Sequence, residues 1–226
     1  GVVGFKPTVG MLSRTHIVPI SFSQDTAGPM TNNVQDAWLM ASIMAGEDAK
    51  DSATADAGKH LIQQPNSSLI ATDLKGVRIG VVRFRQGDNP HILAAYENAL
   101  SSLENAGATL VDIDDFDQPD SFWADSYNVL LSEFHFSINE YLADSPADIP
   151  ARDLQALIAF NKTDKRELAL FNQDIFEKSL EAAAIDSEEY KSALSLIQKT
   201  AGTNGIDTLM QQHNVDVLVS PSNSPS

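Results

Sequence analysis

The chain has 226 residues, enough for one large domain with a substantial core, and its 42% hydrophobic content is that of a folded protein rather than a disordered one. Lys and Arg number 15 against 31 Asp and Glu, a formal net charge of -16, which disfavours nucleic acid and anionic membrane partners and otherwise serves solubility. There is no cysteine, which excludes disulfides, thiolate metal sites and a cysteine nucleophile but leaves cytoplasm and periplasm equally open. No apolar run approaches the ~20 residues that span a bilayer. The chain opens at Gly1 without a start methionine and stops just after a strand-like run, so both ends are expected to be cut and a missing signal peptide carries little weight.

The first 33 residues are rich in Gly, Pro, Ser and Thr, with short β-prone pieces such as Ile17-Val18-Pro19-Ile20 between turns. From Val34 a helix is predicted on the spacing of Ala37, Trp38, Ala41 and Met44, with capping side chains at Thr31-Asn32-Asn33 and a stop at Gly46. Residues 47–73 read as a polar surface connection. Val77 to Phe84 reads as a buried strand, Pro90 opens a helix whose apolar face is Ile92, Tyr96, Ala99, Leu100 and Leu103, Gly107 closes it, and Thr109 to Ile113 forms the next strand. Such a unit predicts parallel pairing with a right-handed crossover. Beyond Pro119 the chain is predicted helical over 121–142, from Asp153 to Phe160, from Glu167 to Ala184, from Ser187 to near Gly202 and from Ile206 to His213, with a last strand at Val215 to Val219. An interior sheet flanked by helices is the simplest architecture for this order.

Chemistry-bearing patterns are sparse. His16, His60, His91, His135 and His213 lack metal-pair spacing, and His135 reads as a partly buried structural histidine. Asp112, Asp114, Asp115 and Asp117 have neither the spacing nor the glycine of a calcium loop and read as a solvated turn. No metal or cofactor is expected. Neither GxGxxG, GxxxxGK[ST] nor GxSxG occurs, and Ser67-Ser68 is a lone pair in a polar linker.

The opening segment carries a resemblance. Gly1-Val2-Val3-Gly4-Phe5-Lys6-Pro7-Thr8-Val9-Gly10, then Ser13-Arg14, then Ile20-Ser21-Phe22-Ser23-Gln24-Asp25-Thr26-Ala27-Gly28-Pro29-Met30 and Val34-Gln35-Asp36-Ala37 through Ala45-Gly46-Glu47-Asp48 resemble the C-terminal half of the amidase signature. Leu157-Ile158-Ala159-Phe160-Asn161, Glu167-Leu168-Ala169-Leu170-Phe171 and Val217-Leu218-Val219-Ser220-Pro221 are similar to the peptide amidase branch.

That resemblance implies an α/β fold, the family's α/β/α sandwich with a mixed central sheet, with residues 1–226 as an incomplete internal or C-terminal portion of a single domain. It implies hydrolysis of small or peptide amides by a serine, a bridging serine and a neutral lysine, with backbone amides stabilising the oxyanion and no cofactor. In the family those groups stand upstream of the position of Gly1, so no catalytic residue is expected in this chain, and Lys6 belongs to the Phe-Lys-Pro motif instead. The chain alone is expected to be inactive, to have the missing N-terminal part of its own domain as a partner, and to leave apolar surface exposed. The resemblance makes Ser23, Gln24, Asp25 and Thr26 candidates for supporting the nucleophile loop, with turn capping as the plainer role of Asp25. It makes Phe160, Phe171 and Ser220 candidates for the acyl-side pocket, with core packing the plainer role of the two phenylalanines. An amidotransferase component of the same fold and a non-catalytic α/β solute-binding domain are the alternatives.

Overall fold

The structure is a computed structural model that describes residues 2–60, 73–146, 148–164 and 166–222. Ser67-Ser68 lies outside the described residues. The chain forms two compact units: Gly1–Leu69 with Ala124–Leu194, and Ile70–Trp123 with Ser195–Ser226. No helix among the described residues is long and apolar enough to cross a membrane.

The first unit begins with an antiparallel pair, β1 (Val3–Gly4) and β2 (Met30–Thr31), and then α1 (Val34–Met44). Asn33 caps α1 by accepting from the Asp36 amide, as the capping run predicts. Met11, Leu12 and Ala41 form a small core with Phe5, Ala27 and Ala45 against them. Gly10 is required there: its φ is +89°, and a Cβ would collide with the Ala53 carbonyl. The helices that follow are α3 (Phe122–Ala143), which enters this unit at Ala124, α4 (Leu154–Thr163), α5 (Glu167–Leu170), α6 (Asp174–Leu180) and α7 (Glu188–Ala201), whose residues from Ser195 belong to the second unit. Phe134, Ile138, Leu154 and Ile158 make their core, with Phe176 stacked on Phe134 at 5.5 Å.

The second unit is built on a three-stranded sheet of order β4-β3-β5, from β3 (Arg78–Val82), β4 (Thr109–Ile113) and β5 (Val217–Val219). Both pairings are parallel, with Arg78 opposite Thr109 and Ile79 opposite Val217. α2 (Pro90–Asn105) makes the crossover, with Pro90 in its first turn and Asn89 capping the amides of His91 and Ile92. The strand-helix-strand unit therefore stands as the sequence predicts. α8 (Asp207–His213) follows a π-helical turn at Gly202–Ile206.

Three expectations are corrected. The helix predicted from Glu167 to Ala184 is broken, because Phe171 is extended and α6 restarts at Asp174; Asn172 and Asp174 favour helix ends over interiors. The stretch 47–73 is not wholly a surface connection, since Asp51, Thr54 and Ala57 are buried. Phe160 and Phe171 are 51% and 67% exposed, so neither is packed in a core of this chain. Ile43 and Leu170 are also exposed, at 74% and 80%, an apolar surface that hydrophobic burial favours covering.

Candidate functional site

The first unit holds its irregular opening chain with carboxylates. Asp48 accepts from the hydroxyls of Ser13 at 2.6 Å and Thr15 at 2.5 Å. Those bonds, with one from the Lys50 amide, hold it at about 2 against an ordinary 3.8. Asp51 grips Arg14 at two points, Nε to Oδ2 at 2.9 Å and Nη2 to Oδ1 at 2.7 Å. That paired bonding holds the Asp51 carboxyl below its usual range and raises the Arg14 guanidinium. Arg14 Nη1 then donates to the Phe22 carbonyl at 2.6 Å, tying the acid to the segment 20–26.

The third carboxylate is Glu133, on α3 and wholly buried. Ser21 Oγ donates to its Oε2 at 2.5 Å, Ser23 Oγ at 2.9 Å and the Ser23 amide at 3.1 Å. Tyr190, from α7, donates to Oε1 at 2.6 Å. Burial first, and this bond second, push the Tyr190 hydroxyl up from 10.0. A buried carboxylate is tolerated only when its lone pairs are filled, and here the donors converge from distant parts of the chain.

The segment itself is a turn. The amides of Gln24 and Asp25 both bond the Ser21 carbonyl, at 3.0 and 2.8 Å. Asp25 Oδ2 closes it by accepting from the amides of Ile20 at 2.8 Å and Ser21 at 2.9 Å. Gln24 Nε2 donates to Ser21 Oγ at 3.3 Å, and Thr26 Oγ1 to the Ala27 carbonyl at 3.0 Å. The bonds of Asp25 are thus the turn-capping ones. Beside the segment lies a cleft of about 1100 Å³, walled by Arg14 to Ile20, Phe22, Asp25 and Thr26, by Glu140 and Tyr141 near the end of α3, and by Asp144 to Pro146 just after it. Asp25 and Thr26 line it, while the bonds of Ser23 and Gln24 run to Glu133 and Ser21. Phe160 and Phe171 do not line this cleft, and Ser220 belongs to the second unit, where it lines another crevice.

Sequence reasoning missed Glu133, Tyr190 and the Arg14–Asp51 pair. One signal was available: Glu133 interrupts the apolar run Leu130-Leu131-Ser132-Glu133-Phe134 inside a helix, where an acid needs partners. Every lysine among the described residues is exposed.

A family model described as Amidase matches residues 1–226. The chain belongs to the amidase family. The native peptide amidase of Stenotrophomonas maltophilia superposes with a TM-score of 0.82 at 33% identity, over 99% of this chain and 45% of that one. A probable amidase of Arabidopsis thaliana is 29% identical over 96% of this chain and 42% of its own length. A glutamyl-tRNA(Gln) amidotransferase subunit of Mycobacterium leprae is 31% identical over 97% of this chain and 44% of its own. The chain thus spans less than half the length of these relatives.

Proposed function

We propose that the full-length protein is an amide hydrolase acting on linear amides, peptide C-terminal amides foremost, through a serine, a bridging serine and a lysine that stand outside these residues. The observation that carries it is the likeness to a peptide amidase over 99% of the chain. In the reaction a serine oxygen adds to the amide carbonyl, the C–N bond breaks, the lysine-held proton leaves with the amine, and water then releases the acid.

These residues, read as a portion of a single amidase domain, supply the scaffold. Glu133 and Arg14 hold the turn 20–26 rigid, so Ser23, Gln24, Asp25 and Thr26 present a fixed surface to the catalytic part. Phe160, Phe171 and Ser220 stay candidates for acyl-side contacts, since exposed aromatic side chains are available to substrate or to the rest of the domain. A second reading, as one component of an amidotransferase, is favoured by the likeness to the Mycobacterium leprae protein over 97% of the chain. The test is a panel of peptide C-terminal amides and aryl amides given to the full-length protein alone. Turnover without any partner establishes the hydrolase; turnover that waits for a second protein establishes the amidotransferase.

A further inference from the structure

The carboxyl ends of β3, β4 and β5 emerge on one edge of the second unit's sheet, because all three strands are parallel. From β3 the chain crosses through α2 to β4 on one side, and β5 adds on the other, so the strand order reverses at β3. Open parallel sheets bind ligands in the crevice outside such a reversal. A crevice of about 740 Å³ lies there, lined by residues that follow each strand, among them Phe84, Phe116 and Ser220.

Its lining mixes aromatic and aliphatic side chains with polar ones, and it holds one cation, Arg85, and one acid, Asp88. Phe84 and Phe116 stack with centroids 6.0 Å apart and planes at 24°. At the rim the Arg85 guanidinium lies over the Trp123 ring, 5.0 Å from its centroid, and Nη2 donates to Gln118 Oε1 at 3.1 Å. The other arginines are committed: Arg14, Arg83 and Arg166 to carboxylates, Arg78 and Arg152 to backbone carbonyls. Among the described residues Arg85 makes no salt bridge with a carboxylate; its guanidinium lies on a ring and bonds an amide oxygen. The far wall includes the π-helical turn, where a Cβ on Gly205 would collide with the Thr200 carbonyl. Single π turns between α-helices concentrate at functional sites.

We propose that this crevice binds an aryl or alkyl carboxylate, its apolar body against Phe84, Phe116 and Leu218 and its carboxylate on Arg85. A preset guanidinium favours a planar two-oxygen anion, and the stacked rings and Leu218 favour an apolar body. The crevice shares Ser220 with the acyl-side candidates of the proposed function, and equilibrium binding without turnover tests the site apart from that reading.

The experiment is calorimetric titration of the full-length protein with 3-phenylpropanoate and, separately, with the uncharged 3-phenylpropanol. The acid is expected to bind at least about tenfold more tightly than the alcohol, and Arg85→Gln to weaken the acid by about tenfold to a hundredfold while leaving the alcohol unchanged. Arg85→Lys should recover part of the loss. Equal binding of acid and alcohol, no binding of the acid, or unchanged affinity in a folded Arg85→Gln protein overturns the site. The comparison of the two ligands on the unaltered protein decides the question even where a variant fails to fold.

Discussion

The two units are held by different forces. The second is organised by apolar periodicity: Ile79, Val81 and Ile113 fill the sheet, Leu100 on α2 is buried, and chain neighbours become spatial neighbours. The opening part of the first unit has little apolar volume, and carboxylates fasten it instead. Ser21 reaches Glu133 across 112 residues, and Arg14 reaches Asp51 across 37. Apolar burial is graded and forgives small changes, whereas a buried acid either has its donors or strands them. Damage in the first unit should therefore be abrupt and in the second proportionate.

The largest expected effect is at Glu133. Glu133→Ala orphans the buried Ser21 hydroxyl and Tyr190 hydroxyl at once and should cost about 3–5 kcal/mol of stability in denaturant unfolding. Tyr190→Phe, which strands a single carboxylate oxygen, should cost less than half as much. Equal costs would mean that Glu133 is not the shared node. Next comes Arg14→Lys, which keeps the charge but loses the two-point grip on Asp51 and the bond to Phe22; about 1.5–3 kcal/mol is expected.

That contrast also decides what the sequence made legible. β3, α2 and β4 follow from local pattern, since Pro90, Gly107 and the Val-Arg-Ile-Gly-Val-Val run each report their own structure. The amidase-family motifs were legible from the fixed places of Gly, Pro and Asp in the opening segment. The Glu133 node was not, because its partners on residues 21–23 and 190 are joined by folding alone and no spacing rule links them. Asp51 reads as linker from its neighbours and is buried where Arg14 folds back on it. The break after Leu170 was carried only by Asn172 and Asp174, between helix-forming stretches that hid it.

Smaller effects sharpen the comparison. Asp48 sits at about 2 in the folded chain against 3.8, so it binds fewer protons folded than unfolded. Its stabilising contribution is full above about pH 4 and is lost as pH falls toward about 2, and Asp51 works in the same direction. Asp48→Asn should flatten that acid limb of a plot of Tm against pH; an unchanged limb would assign it to other acids. In the second unit, Asn89→Ala removes the cap of α2 and should cost about 1 kcal/mol, with no change in the acid limb. A loss as large as that of Glu133→Ala would erase the distinction between the units.

On the proposed reading the catalytic groups of the full-length protein stand outside residues 1–226, and these residues are scaffold. The most direct measurement treats the full-length protein with an aryl phosphonofluoridate, which stops serine hydrolases by labelling the activated oxygen, and maps the adduct by peptide mass spectrometry while following amide hydrolysis. One labelled serine outside this segment, gained in step with the loss of activity, is the predicted result. An adduct on Ser21, Ser23 or another serine of this chain, in step with the same loss, would contradict it.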